Sequence, residues 1–396
     1  MDHGISSPAT AEGRIAGQGA LIAFTLAIFT SAFLLFAVQP MFTKMVLPQL
    51  GGSPAVWSVA MVFFQALLLA GYLYAHLSTR YLSTRAAMIL HLALLAITAI
   101  TLPIAVSGRF GAPPAEGQAL WLIGVFLVSV GLPFFAVSGN GPLLQAWFSR
   151  SGHRHAADPY FLYGASNLGS FAALLLYPVL IEPLLPVKAQ SLGWALGFGM
   201  LIALIALAAL TIRHAGATRA AAHSSTTPKP PLASVVKWIA LSFIPSGLLV
   251  AVTAHISTDV AAAPFLWVIP LALFLLTFVL IFRDRPLLPM TAIERLLPIL
   301  AGGMVLFSYF GNSLFVLVLL VHIGFFFAAT LVCHNRLYAA RPDAENLTAF
   351  YLWMSFGGVL GGLFSGLIAP VIFDRVAEYP ILVVASMLAL PAAAGF

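Results

Sequence analysis

The 396-residue chain carries very little charge. Asp, Glu, Lys and Arg make up 8% of it, against roughly a quarter of an ordinary soluble domain. Hydrophobic residues make up 61%, and mean hydropathy is +1.02. A water-soluble fold has too little interior to hide that much apolar surface, so lipid is the expected solvent. Cysteine is nearly missing. With Cys333 alone, no disulfide can form within the chain, and the redox compartment is not legible. Runs of like charge are also missing. The net charge of +6 is dispersed through short loops, which argues against a nucleic-acid partner and fits contact with anionic lipid headgroups. No Cys, His, Asp or Glu set has metal-ligand spacing, and no Ser-His-Asp arrangement is evident. No metal, cofactor or catalytic residue is therefore expected in this chain.

What is present is a series of long apolar runs. A spanning helix needs about 20 mostly apolar residues. Such runs occupy 19–38, 54–77, 86–107, 118–138, 159–181, 189–212, 235–256, 263–282, 290–310, 313–333, 347–370 and 380–396. The expectation is an all-α polytopic bundle of twelve spans. Gln39 and Pro40 are read as ending the first span. Pro133 and Gly139-Asn140-Gly141-Pro142 are read as breaking the fourth before 143–149. The twelfth run reaches only about 25 Å at 1.5 Å per residue, and the chain reads as cut short there. The first eighteen residues, with Asp2, Glu12 and Arg14, lack the basic start and short apolar core of a cleaved signal. They read as a tail before a span that stays.

The loop charges give an orientation. Fourteen of the eighteen Lys and Arg residues fall on the side of Arg14, and Lys44, Arg109, Lys188 and Arg375 fall on the other. The twelve acidic residues divide seven to five. A basic bias without an acidic one is the positive-inside pattern, so the N-terminus is expected in the cytoplasm, with the chain multi-pass in a bacterial inner membrane. The longest polar stretch, 213–234, reads as a cytoplasmic linker. It separates a tail (1–18) and six spans (19–212) from six more (235–396). A faint repeat relates the halves. Phe161-Leu162-Tyr163 with Ser166 and Gly169 in the fifth run parallels Phe350-Tyr351-Leu352 with Ser355 and Gly358 in the eleventh. Each follows a basic loop with a Pro and an Asp, Asp158-Pro159 and Pro342-Asp343. Parallel six-plus-six repeats are a major-facilitator arrangement.

Four long strings carry a resemblance. They are FLLFAVQPMFTKMVLPQLGGSPAVWSVAMVFFQALLLAGYLYAHL (33–77), DPYFLYGASNLGSFAALLLYPVLIEPLLPVKAQSLGW (158–194), IPSGLLVAVTAHISTDVAAAPFLWVIPLALFLLTF (from 244) and LTAFYLWMSFGGVLGGLFSGLIAPVIFDRVAEYP (347–380). Together they resemble the membrane half of the bacterial fused major-facilitator/spermidine-synthase-like proteins. In that family a cytoplasmic spermidine-synthase-like domain commonly follows the membrane part. Such a catalytic domain needs a strand–turn–helix glycine loop. The glycines here, such as Gly357-Gly358 and Gly361-Gly362, lie inside an apolar helix. Two positions depart from the family pattern: Ala349, where an acid is expected, and Asn335-Arg336-Leu337 after His334.

Few polar residues are placed to meet a solute. Asp259 ends the seventh run within His255-Ile256-Ser257-Thr258-Asp259. An ionisable group there faces a cavity or caps the next helix. In a facilitator arrangement the first, second, seventh and eighth helices face one another, so Gln39, Gln65, Tyr72, His255 and Asp259 are expected to line one cavity. Gln65 reads equally well as an interhelical hydrogen bond. Asn167, between Ser166 and Ser170, serves helix packing or substrate contact. Trp57, Tyr72, Tyr163, Trp267, Tyr351 and Trp353 suit cation–π contact with an ammonium group or anchoring at the interface. The glycine face at 357, 358, 361, 362 and 366 reads as helix packing. His91 and His322 sit alone in apolar runs and are given no role. The resemblance implies a transporter-like domain that binds or moves a polyamine or another small cation. Its alternative is the membrane anchor of an aminopropyltransferase whose catalytic domain is missing from this chain.

Overall fold

A computed structural model of the chain describes residues 9–50, 54–114, 117–215, 229–259, 268–282, 287–307, 315–374 and 377–390. Among these residues the fold is all helix, with no strand. Only helices satisfy every backbone N–H and C=O within the segment, which is what a bilayer core demands.

Among the described residues, twelve helical segments follow in order. They are α1 (Ala9–Leu50), α2 (Pro54–Tyr81), α3 (Thr84–Ala99) and α4 (Gln118–Phe148); α5 (Phe161–Leu184), α6 (Val187–Ala215), α7 (Leu232–Asp259) and α8 (Val268–Ile281); and α9 (Met290–Phe307), α10 (Phe315–Ala339), α11 (Ala344–Ile372) and α12 (Glu378–Leu388). Eight are long and apolar enough to cross a membrane, and α3, α8 and α12 are shorter apolar helices. Most of the linker, the start of the eighth run and the end of the twelfth lie outside the described residues.

Of two expected breaks, one does not occur and the other is a single residue. α1 does not end at Gln39-Pro40 but runs through Pro40 and Pro48. Beside the proline, Gln39 Nε2 donates to Leu35 O (3.2 Å) and Thr43 Oγ1 to Gln39 O (2.8 Å), so side chains add bonds to two carbonyls of the turns that flank it. α4 is interrupted at the expected place, but only by one turn residue, Gly139, between helices ending at Ser138 and starting at Asn140. A π turn over Leu127–Gly131 precedes Pro133, and helical structure then continues to Phe148. A π turn widens the ladder by one residue, which makes room for a ring that has no N–H to offer. The same device recurs in α5 (Tyr177–Ile181, then Pro183) and α11 (Phe364–Ile368, then Pro370). In all three helices the proline falls two residues after the π turn. The sequence repeat between α5 and α11 thus has a structural counterpart.

Packing is paired in the same way. α1 packs along α5 and α6, and α7 packs along α11 and α12. Small residues set the closest approaches. A Cβ on Gly169 of α5 would collide with the carbonyl oxygen of Phe29 on α1. A Cβ on Gly357 or Gly361 of α11 would collide with the carbonyls of Ile239 or Phe243 on α7. The first six helices meet the last six chiefly through α2 against α11 and α5 against α8. We call this the seam.

Candidate functional site

The seam is the place where a solute can meet both halves, and it is built mainly from four helices. α2 and α11 run antiparallel. His76 and Thr79 face Thr348 near one end, and Gln65 faces Gly362 further along. α5 meets α8 through Tyr163, whose ring lies 5.3 Å from Phe278 and 4.8 Å from Phe282 between centroids.

At the basic end the seam is closed. Tyr351 of α11, 1% exposed, donates its hydroxyl to Gln145 Oε1 of α4 at 2.7 Å. Tyr160 Oη donates to Pro342 O at 2.9 Å. Burial raises the pKa of this phenol, which keeps it a neutral donor. Arg341 pairs with Asp158 at 2.9 Å and lies over the Tyr338 ring at 3.8 Å from its centroid. His76 Nδ1 lies 3.1 Å and Thr79 Oγ1 3.2 Å from Thr348 Oγ1. Tyr160 and Tyr163 stand 5.9 and 5.0 Å from Tyr351 between ring centroids, within an apolar cluster that includes Trp238, Phe278, Phe282 and Phe350. Among the described residues, all hydrogen bonds and the ion pair that join the halves lie at this end.

Halfway along, the seam is polar but uncharged. Gln65 Oε1 is buried and receives no hydrogen bond, although its amide lies close against Gly362. A buried acceptor without a donor loses the water it had and gains nothing in return, at about 1–3 kcal/mol.

The structure brings Gln65, Tyr72 and Tyr351 to the seam and separates the others. Tyr72 packs against the aromatic cluster. Asn167, 5% exposed, donates Nδ2 back to Tyr163 O at 2.7 Å, holding α5 beside the seam. Gln39 bonds its own helix, as described. His255 stands at the far end of α7, its ring 4.6 Å from His322 and 5.4 Å from Tyr379. Asp259 closes α7, but its side chain and all of Trp267 lie outside the described residues. Of the residues expected to line one cavity, Gln65 and Tyr72 thus lie at the seam, Gln39 bonds within α1, and His255 stands beside His322 and Tyr379. No group of three or more His, Cys, Asp or Glu residues is placed to hold a metal ion among the described residues.

Sequence reasoning missed several polar centres. His91 is fully buried. Its Nδ1 lies 3.3 Å from Tyr74 Oη, and its Nε2 bonds Asn140 Oδ1, whose amide donates to Ser31 Oγ at 2.9 Å. This chain of bonds ties α1, α2, α3 and α4 together. His334 bonds Thr277 Oγ1 at 2.7 Å and stacks on Phe278. His91 looked solitary because its partners are 17 and 49 residues away in sequence. Gln145 and Thr348 carry no sequence signal at all.

No family model matches the sequence, and no curated protein does. The fold does have solved counterparts. The human organic anion transporter MFSD10 aligns over 94% of this chain and 98% of its own, with a TM-score of 0.62 and 16% identity. A proton:xylose symporter of the major facilitator superfamily aligns over 94% and 95%, with a TM-score of 0.58 and 13% identity. A bacterial homologue of the iron transporter ferroportin, solved outward-facing, aligns over 95% and 96%, with a TM-score of 0.59 and 13% identity. The protein therefore has a major-facilitator-like fold and is a multi-pass membrane protein of transporter-like architecture.

Proposed function

We propose that the protein is a solute transporter that exposes the seam alternately to the two sides of the membrane, with a small cation as its solute. The supporting observation is the one-sided closure: the polar links between the halves gather at the basic end. A fixed scaffold has no need to concentrate them there, whereas two halves that rock about a central site need a gate at each end. The basic bias of the loops supports placing that end, and the N-terminus with it, on the cytoplasmic side of a bacterial inner membrane.

The solute class comes from the chemistry of the seam and from the family resemblance. The cargoes named for the structural neighbours are an anion, a sugar and a metal, so they do not choose among solutes. Gln65 Oε1 lacks a donor, and an ammonium group is a donor without an acceptor. Tyr72, Tyr163 and Tyr351 supply ring faces, each worth about 0.5–2 kcal/mol to a bound cation. Polyamines are the candidates that the resemblance favours, with Asp259 as the acid that would hold an amine.

Ligand that binds only the folded protein raises its stability by about 2.7 kcal/mol at a hundredfold excess over Kd. Putrescine and spermidine are therefore expected to raise the melting temperature of the purified protein. Gln65→Ala and Asp259→Asn are expected to reduce that shift, and Gln65→Ala, which removes an unpaired buried acceptor, is expected not to lower the melting temperature of the ligand-free protein. No shift with either amine, or equal shifts in both variants, would sink the cation reading.

A further inference from the structure

Given alternating access about the seam, on which this rests, we propose that His76 is a pH-sensitive latch: a proton taken up by its imidazole loosens the closure at the basic end. The latch joins the two halves directly. His76 Nδ1 of α2 lies 3.1 Å from Thr348 Oγ1 of α11, and Thr79 Oγ1 of α2 lies 3.2 Å from the same oxygen. Thr79 spends its own proton on Ala75 O at 2.9 Å. All three side chains are satisfied when His76 Nδ1–H donates to Thr348, Thr348 donates to Thr79, and Thr79 donates to the Ala75 carbonyl. In that arrangement Nε2 is the basic nitrogen, and a second proton goes there.

Protonation keeps the bond and changes the charge, and the new charge stands among cations. Arg80 follows His76 by four residues on the same face of α2. From α4, Arg150 reaches the same turn, donating to Thr79 O at 3.4 Å and to Thr84 Oγ1 at 2.8 Å. α3 adds Arg85 in its first turn. From α11 the facing group is the neutral Thr348. The acids that precede it, Asp343 and Glu345, are exposed and form no ion pair with His76 among the described residues. Asp158 is spent on Arg341. The phenols are engaged elsewhere: Tyr351 donates to Gln145, Tyr72 packs in the aromatic cluster, and Tyr74 meets His91 about 200° round α2 from His76.

The closed end therefore holds a neutral His76 better than a charged one, because like charges are close and a half-buried ring is poorly hydrated. Parting α2 from α11 gives the ring to water and removes part of that penalty. A proton then binds the open end more tightly than the closed end, and a ligand shifts a population toward the state it prefers. Acidification opens the basic end. The proton has a short way to travel, since His76 lies five residues before the end of α2, about 8 Å along the helix. Histidine is also the side chain whose charge ordinarily changes between about pH 5 and 8.

Spin labels at Ala86→Cys and Ala339→Cys, exposed and uncharged positions on opposite halves at the basic end, test this by double electron–electron resonance in nanodiscs. Between about pH 8 and about pH 5.5, the ratio of the longer to the shorter distance is expected to rise about threefold or more, since half a unit of difference in proton affinity already gives about threefold. His76→Gln keeps a donor for Thr348 without a titrating charge, and its distance ratio is expected to be flat across that range. Arg80→Gln removes an exposed cation and is expected to shrink the response while keeping both populations. If His76→Gln does not fold, the parent titration and Arg80→Gln still decide. Two populations that do not respond to pH, or a full response retained in folded His76→Gln or in Arg80→Gln, overturn the latch and leave the transport reading standing. A single narrow distance at every pH overturns both.

Discussion

Leucine in place of Gly361, or of Gly169, is expected to leave no folded protein. At both positions a single added carbon already meets a backbone carbonyl on the neighbouring helix, Phe243 on α7 or Phe29 on α1. A backbone cannot rotate aside as a side chain can, so the helices must part. Overpacking a core commonly costs about 1–3 kcal/mol, and alanine alone should reach that range here. Leucine must also displace the tight pairing of α7 with α11, or of α1 with α5, in a molecule whose net stability is a small difference between large terms. Gly199 and Gly302 are the controls, because nothing lies within 4 Å of a Cβ at either. Leucine there should be neutral or slightly stabilising, since glycine is a poor helix former. Cys333 gives a direct readout. It is buried and is the only thiol in the chain, so a thiol-reactive dye reports unfolding. A Gly361→Leu protein that melts like the parent would refute the packing account.

The second large effect concerns the gate. Tyr351→Phe removes one hydroxyl and strands Gln145 Oε1 in a buried place. Leaving a buried acceptor unpaired costs about 1–3 kcal/mol. If that bond exists only while the basic end is closed, the ratio of closed to open molecules falls by about 5–30-fold for the first 1–2 kcal/mol. Asp158→Asn should do less, although it removes an ion pair. The Arg341 and Asp158 side chains are 26% and 48% exposed, and exposed pairs are generally worth less than about 1 kcal/mol. The buried neutral bond is thus expected to outweigh the exposed charged one. The reverse order would mean that the gate is held electrostatically.

Much of the architecture is legible in the sequence because lipid imposes simple rules. Charges avoid the spans, so counting apolar runs gives twelve helices, and α5 and α11 can be matched through their shared pattern. The helix ends were less legible. Pro40 and Pro133 read as terminators because in water an orphaned carbonyl would end a helix there. In lipid α1 continues through Pro40, and in α4 a π turn makes room for Pro133. The polar centres were the least legible. Tyr351 was legible as an aromatic candidate, but Gln145 stands 206 residues away, and no local pattern joins them. His255 was singled out without the ring neighbours it has. It sits with His322 and Tyr379, and no pattern in the sequence brings α7, α10 and α12 to one point.

The central claim is that the two halves move against each other about the seam. Spin labels at Arg85→Cys and Glu345→Cys, both exposed and on opposite halves at the basic end, make this measurable by double electron–electron resonance in nanodiscs. The buried Cys333 should stay unlabelled. The account predicts two distance populations, the shorter matching the closed end described above, with Tyr351→Phe shifting weight to the longer one. A single narrow distance, unchanged by Tyr351→Phe and by added solute, would contradict it.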